Sequence, residues 1–181
     1  LISTETARAG LELYAQHRGR RPVTAVIYSH SHTDHYGGVR GVVDEADVRA
    51  GRVPGIAPVG FMAEVVSEAV LAGTPMIRRA QFQFGATLPK GPRGQVDAGL
   101  GKGTSRGTVT LIPPTVTVTE PFETHRLDGV EMVFQVTPDT EAPAEMHMFY
   151  PAHRALNLAE NATHNLHNTY PIRGAQVRDA N

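Results

Sequence analysis

The chain has 181 residues, with 17 Lys plus Arg against 18 Asp plus Glu and no cysteine. That length suits one domain with a sizeable core, and the balanced charge, with no basic run interleaved with aromatics, offers a nucleic acid or an anionic membrane no electrostatic footing. Without cysteine there is neither a disulfide frame nor thiolate ligation, so any metal must be held by His, Asp and Glu.

Residues 3–18 read as a helix: Ser3 is the N-cap, Glu5 lies in the first turn, and Leu11, Tyr14 and His17 follow at helical spacing, a stripe expected to pack on a sheet. Pro22 interrupts the chain, and residues 23–28 form a short β-branched apolar run expected to be a strand buried on both faces. Gly37 and Gly38 open a turn or helix through residues 39–43, and "DEADVRAGRVPG" reads as a polar segment before the next strand. In "FMAEVVSEAVL", residues 61–71, the apolar positions 61, 62, 65, 66, 69, 70 and 71 predict an amphipathic helix.

From Gly73 to Pro114 the chain is rich in Gly and Pro, which predicts a long irregular loop, and a loop of that length inside a compact domain is usually functional. The tail then alternates: "TVTLIPP", "TVTVTE", "VEMVFQVTP", "EMHMFYP" and "ALNLAEN" read as short strands between turn residues. No repeat, linker or domain boundary appears, and the order of elements predicts a layered α/β domain. No stretch reaches the roughly 18 apolar residues of a membrane span, and "LISTETARAG" lacks the basic start and apolar stretch of a signal peptide. Because the first residue is Leu1 rather than Met, the chain is expected to be part of a longer protein, and an export signal could lie outside it.

The densest chemistry lies in "YSHSHTDHYGG", residues 28–38, where His30, His32, Asp34 and His35 fall within six positions between the apolar run and a glycine pair. His30 and His32 would share one face of a continuing strand, while Asp34 and His35 lie where the chain turns. Four such donors from one loop can serve more than one ion, and imidazole with carboxylate is a suitable ligand set for zinc. A surface histidine cluster is the plainer alternative, and the tie to a buried strand argues against it.

HxHxDH followed by GG resembles the metallo-β-lactamase superfamily, from about residue 20 onward. The resemblance implies an αββα sandwich, here incomplete at both ends, with a dinuclear site at one edge of the sheets: His30 and His32 on one metal, Asp34 and His35 on the other. Most relatives supply a further histidine after a "TPGH"-like turn and then a bridging aspartate. Here "VTPDTEAPAEMHMFYP" places Glu141 near the first of these positions, and Glu160 ends "ALNLAE" at the second. With "GGVRGVV", "LPKGPRGQVDAGLGKGTSRGTVTLIPPT", "TEAPAEMHM", "AEN", "LHN" and "RGAQVRD", that replacement resembles the alkyl sulfatase branch of zinc-dependent hydrolases of alkyl sulfates such as dodecyl sulfate.

Carried over, the resemblance implies that Glu141 completes the first site, Glu160 bridges the two Zn2+ ions, and Arg173 is the catalytic residue that binds the sulfate. A bidentate guanidinium also suits a tetrahedral oxyanion on physical grounds. Glu145 is the alternative to Glu141, on the same face of an extended segment, although Glu141 directly follows the "TPDT" turn. His164 and His167 either line the pocket or cap and pack. "GLGKGTS" is not a phosphate loop, because Lys102 is followed by Gly103 and no glycine stands five positions before Gly101. Its backbone N–H groups and Lys102 remain a sulfate-contact candidate, against a loop that simply needs positive φ.

The resemblance further implies that residues 1–181 are part of a catalytic domain, that one more ligand histidine, a dimerisation region and a C-terminal domain lie outside them, and that the full-length protein is a homodimer; a soluble protein is expected, with the compartment left open and periplasmic or secreted in a bacterium among the candidates. The expected activity is hydrolysis of an alkyl sulfate ester to alcohol and inorganic sulfate. The alternatives are another hydrolase of this fold, acting on a lactam, thioester or phosphodiester, and a metal-binding piece without turnover.

Overall fold

The structure is a computed structural model that describes residues 1–98, 101–103, 105–163 and 174. Two sheets carry the fold. Strands β1 (Val26–Ile27), β2 (Gly55–Pro58) and β3 (Val116–Val118) form a parallel sheet in the order β1-β2-β3. Strands β4 (Phe122–Leu127), β5 (Val130–Val136), β6 (Met146–Tyr150) and β7 (Ala155–Asn157) follow as an antiparallel meander.

Alternate side chains of a strand point to opposite sides, and the inward face of the meander carries the even-numbered residues of β5 and β6 and the odd-numbered residues of β4. Phe134, Met146 and Met148 from it pack on Ile56 and Val118 of the parallel sheet. On the other side of the parallel sheet, Tyr28, Tyr36, Val39, Val48, Ala57, Phe61, Val65 and Ile112 form a second core under the helices. These layers are α, β and β. Phe122, Phe149 and Leu156 of the four-stranded sheet are exposed, so among the described residues the fourth, outer helical layer of the expected sandwich does not cover them.

Several local expectations need correction. Helix α1 (Thr4–Arg18) has Ser3 as its N-cap, its Oγ accepting from the Thr6 N–H at 3.3 Å, but only Ala7 of the helix is buried and Tyr14 is exposed. It packs on the 3₁₀ turn Val39–Gly41 rather than on a sheet, because Gly38 offers a bare backbone there: a Cβ on Gly38 would lie 2.6 Å from Leu1 O and 2.7 Å from Ala7 Cβ. Strand β1 is two residues long and half-buried, not a six-residue strand buried on both faces. The polar segment before β2 contains a short helix, α3 (Glu45–Arg49), capped by the Asp44 carboxylate, which accepts from Ala46 N–H at 2.9 Å.

Helix α4 (Phe61–Val65) continues as a π turn, Val66–Leu71, and the expected loop opens instead as helix α5 (Gly73–Gln83). Strand β4 was not foreseen, whereas "TVTLIPP" is extended chain outside any strand that buries Ile112.

Candidate metal centre

The end of β1 carries the ligand loop to the junction of the two sheets. Met146 N–H donates to Ser29 O at 2.8 Å, and His30 forms an isolated antiparallel bridge with Glu145. The loop is thereby pinned to the start of β6. His32 then stands at the N-cap position of the short helix α2 (Thr33–Tyr36), which turns Asp34 and His35 back toward the same place.

Six side chains converge there. His30 Nε2 lies 3.2 Å from Glu141 Oε2 and 3.3 Å from Glu160 Oε2, and His32 Nδ1 lies 2.9 Å from Glu141 Oε2. His35 Nε2 is 3.0 Å from Glu160 Oε2 and 3.5 Å from Asp34 Oδ2. The donors fall into two groups, His30, His32, Glu141 and Glu160 in one and Asp34, His35 and Glu160 in the other, each with ligand atoms within 4.8 Å of one another. Glu160 belongs to both groups.

The donor set fits a metal. Ligands held about 2.0–2.1 Å from a tetrahedral zinc ion lie roughly 3.3 Å apart, close to the spacing seen here. His30 Nε2 is fully buried without a well-formed hydrogen bond, facing two carboxylates, an arrangement that costs free energy unless a cation sits among them. Burial pulls the His30 pKa down, which favours the neutral, ligating imidazole. For His35 burial acts downward too, but Asp34 and Glu160 outweigh it and raise its pKa to about 9, while Asp34 is lowered because His35 outweighs the opposing effect of its own burial.

The ring nitrogens turned away from the centre are also held. Ser29 Oγ lies 3.2 Å from His30 Nδ1 and 3.1 Å from His35 Nδ1, so one hydroxyl fixes two rings with Nε2 toward the carboxylates. Glu145, weighed as a rival ligand, stands behind the site. Its Oε2 accepts from Ala142 N–H at 2.8 Å and Thr140 Oγ1 at 3.2 Å, and its Oε1 accepts from Asn161 Nδ2 at 3.1 Å. Burial raises its pKa to about 7. Asn161 follows Glu160, and Thr140 precedes Glu141, so this network ties together the two turns that present the carboxylates.

The described residues thus bring His30, His32, Asp34, His35, Glu141 and Glu160 together. Glu160 lies in a turn three residues beyond the end of β7 rather than on the strand. Lys102 is exposed, and its carbonyl accepts from Lys90 Nζ at 3.4 Å. Arg173, His164 and His167 lie outside the described residues. Ser29 and Asn161 were missed because nothing in their local pattern marks them: their partners come from the fold.

A cavity of about 700 Å³ opens beside Asp34 and His35. Its walls include Ile2, Ile27, Met148 and Tyr150, with Gly103 and Ser105 of the glycine-rich loop at its edge. Lys102 is not among its lining residues. No helix among the described residues is long and apolar enough to cross a membrane.

Comparison with known proteins agrees with this geometry. Residues 1–156 match the family described as the metallo-beta-lactamase superfamily. A linear primary-alkylsulfatase of Pseudomonas sp is 58% identical over 179 residues, which cover 99% of this chain and 27% of that protein. An alkyl/aryl-sulfatase of Saccharomyces cerevisiae is 55% identical over 181 residues, covering 100% of this chain and 28% of that protein. The solved structure of a stereoselective inverting sec-alkylsulfatase from Pseudomonas sp. aligns with a TM-score of 0.93 at 52% identity, covering 99% of this chain and 28% of that one. The chain therefore spans little more than a quarter of the length of these relatives.

Proposed function

Because this chain belongs to the metallo-beta-lactamase superfamily, we propose that the full-length protein containing it hydrolyses alkyl sulfate esters to an alcohol and inorganic sulfate at a dinuclear zinc centre. His30, His32 and Glu141 would hold one ion and Asp34 and His35 the other, with Glu160 shared by the two donor groups. Zinc bound there supplies Lewis acidity toward a sulfate oxygen and makes water acidic enough to act as a nucleophile near neutral pH.

The observation that carries the substrate class is the cavity, whose lining sets Ser29, Asp34, His35, Ser105 and Asn157 beside Ile2, Ile27, Met148 and Tyr150. In this reading the sulfate head faces the metal-binding side chains and the apolar tail lies along Ile2, Ile27, Met148 and Tyr150. Burying the tail contributes about 0.8 kcal/mol per methylene and keeps bulk water from the reacting end. The identity with relatives named alkylsulfatases points to the same class.

In this reading Ser29 and the Glu145 network hold the ligand atoms in place before substrate arrives, so that no reorganisation is needed during the reaction. Arg173 pairs bidentately with two sulfate oxygens, and Lys102 adds positive charge in the glycine-rich loop. Residues 1–181 are part of a catalytic domain, and the dimerisation and C-terminal regions lie elsewhere in a homodimeric protein. The test is sulfate release from dodecyl sulfate by the zinc-loaded full-length protein. Release is expected, and its absence across medium-chain alkyl sulfates would remove the substrate class.

A further inference from the structure

We infer that Glu68 is a positioning residue for the metal centre, holding the outer ring nitrogen of His32. The inference rests on the reading of His32 as a metal ligand. The His32 ring is turned opposite to its neighbours: His30 and His35 face the carboxylates with Nε2, whereas His32 faces Glu141 with Nδ1 at 2.9 Å. Its Nε2 points the other way, and Glu68 Oε2 lies 3.4 Å from it. Ser29 Oγ stands at the outer nitrogens of His30 and His35, and the carboxylate of Glu68 stands at that of His32.

Periodicity expects Val66, Val70 and Leu71 on the buried stripe of the helix, yet they are 42%, 68% and 77% exposed, while the Glu68 side chain is only 19% exposed. The cause is the π turn Val66–Leu71, whose wider coil rotates the residues after Val65 and turns the acid inward. A local rule broken in this way, beside a ligand, is where function is expected to outweigh propensity.

A carboxylate on the far nitrogen fixes the tautomer, with the proton on Nε2 and the lone pair on Nδ1, and makes the imidazole a better donor to the ion. Loss of such a partner lowers metal affinity by about 10- to 100-fold.

The experiment uses the full-length protein, titrated with zinc against a chromophoric chelator, together with nitrogen-15 NMR of the histidine rings. His32→Ala should lose an ion, Glu68→Ala should weaken zinc at one site by about 10- to 100-fold, and Glu68→Gln, which keeps a carbonyl acceptor, should fall between Glu68→Ala and wild type. A slowly exchanging Nε2 proton on His32 should be present in wild type and lost in Glu68→Ala. Wild-type affinity in both Glu68 variants, with metal lost in His32→Ala, overturns the role of Glu68 and leaves the ligand reading intact. Full zinc content in His32→Ala overturns the ligand reading itself. If Glu68→Ala does not fold, Glu68→Gln decides: weakened zinc supports the role, and unchanged zinc with an unchanged His32 proton refutes it.

Discussion

Replacing Glu145 with alanine should loosen the turn that presents Glu141. The carboxylate is fully buried, and three donors converge on it, but they do not depend on it equally. Thr140 Oγ1 also donates to Thr137 O at 2.8 Å, and Asn161 Nδ2 also faces His147 Nε2 at 2.7 Å, so both keep partners. Ala142 N–H is left buried without an acceptor, which costs about 1–3 kcal/mol. Taking about 2 kcal/mol, the equilibrium for local opening rises roughly 30-fold.

Glu145→Gln should cost less. Its carbonyl can replace Oε2, and a flip of Asn161 lets Oδ1 accept from the new amide. The assay is hydrogen exchange of the segment 137–146 in the full-length, metal-free protein, since local opening is read directly there. Exchange should accelerate about 30-fold in Glu145→Ala and by less in Glu145→Gln; unchanged exchange in Glu145→Ala would refute the reasoning. The same group predicts a pH dependence. Its folded pKa of about 7 stands above the ordinary 4.5, so the folded state holds the proton more tightly. Its contribution to stability is full below pH 4.5 and is lost as pH rises through about 7, a slope that Glu145→Gln should abolish in the metal-free protein.

Gly38→Ala should destabilise by about 1–3 kcal/mol through overpacking, because its Cβ would meet Leu1 O and Ala7 Cβ at under 2.8 Å; a thermal melt equal to wild type would contradict the close packing of α1 on the ligand loop. Phe134→Ala, at a fully buried position between the sheets, should cost about 3–5 kcal/mol, read as a lowered denaturant midpoint. Glu160→Gln should lower zinc content by more than Glu145→Gln does, measured by elemental analysis after dialysis, because Glu160 joins both donor groups and Glu145 neither.

The ligand loop was legible because its donors are contiguous and end a strand. Of the two acids weighed as ligands, Glu141 faces His30 and His32, and Glu145 is bound to the turn's own N–H. Helix α5 was hidden by composition, since Gly73 and Pro75 suggest a loop although proline is tolerated in a first helical turn. Strand β4 was hidden because its inward positions are Glu123, His125 and Leu127, so only one of three is apolar and the alternation is faint. Ser29, Asn161 and Glu68 act through partners that the fold alone brings near, and no local spacing could have named them.

The central claim is a two-zinc centre that cleaves alkyl sulfates, and it is tested most directly by measuring bound zinc and sulfate released from dodecyl sulfate on the same preparation of the full-length protein. Two zinc ions per chain and release that disappears on chelation are the predicted result. Two zinc ions with no release would contradict the claim.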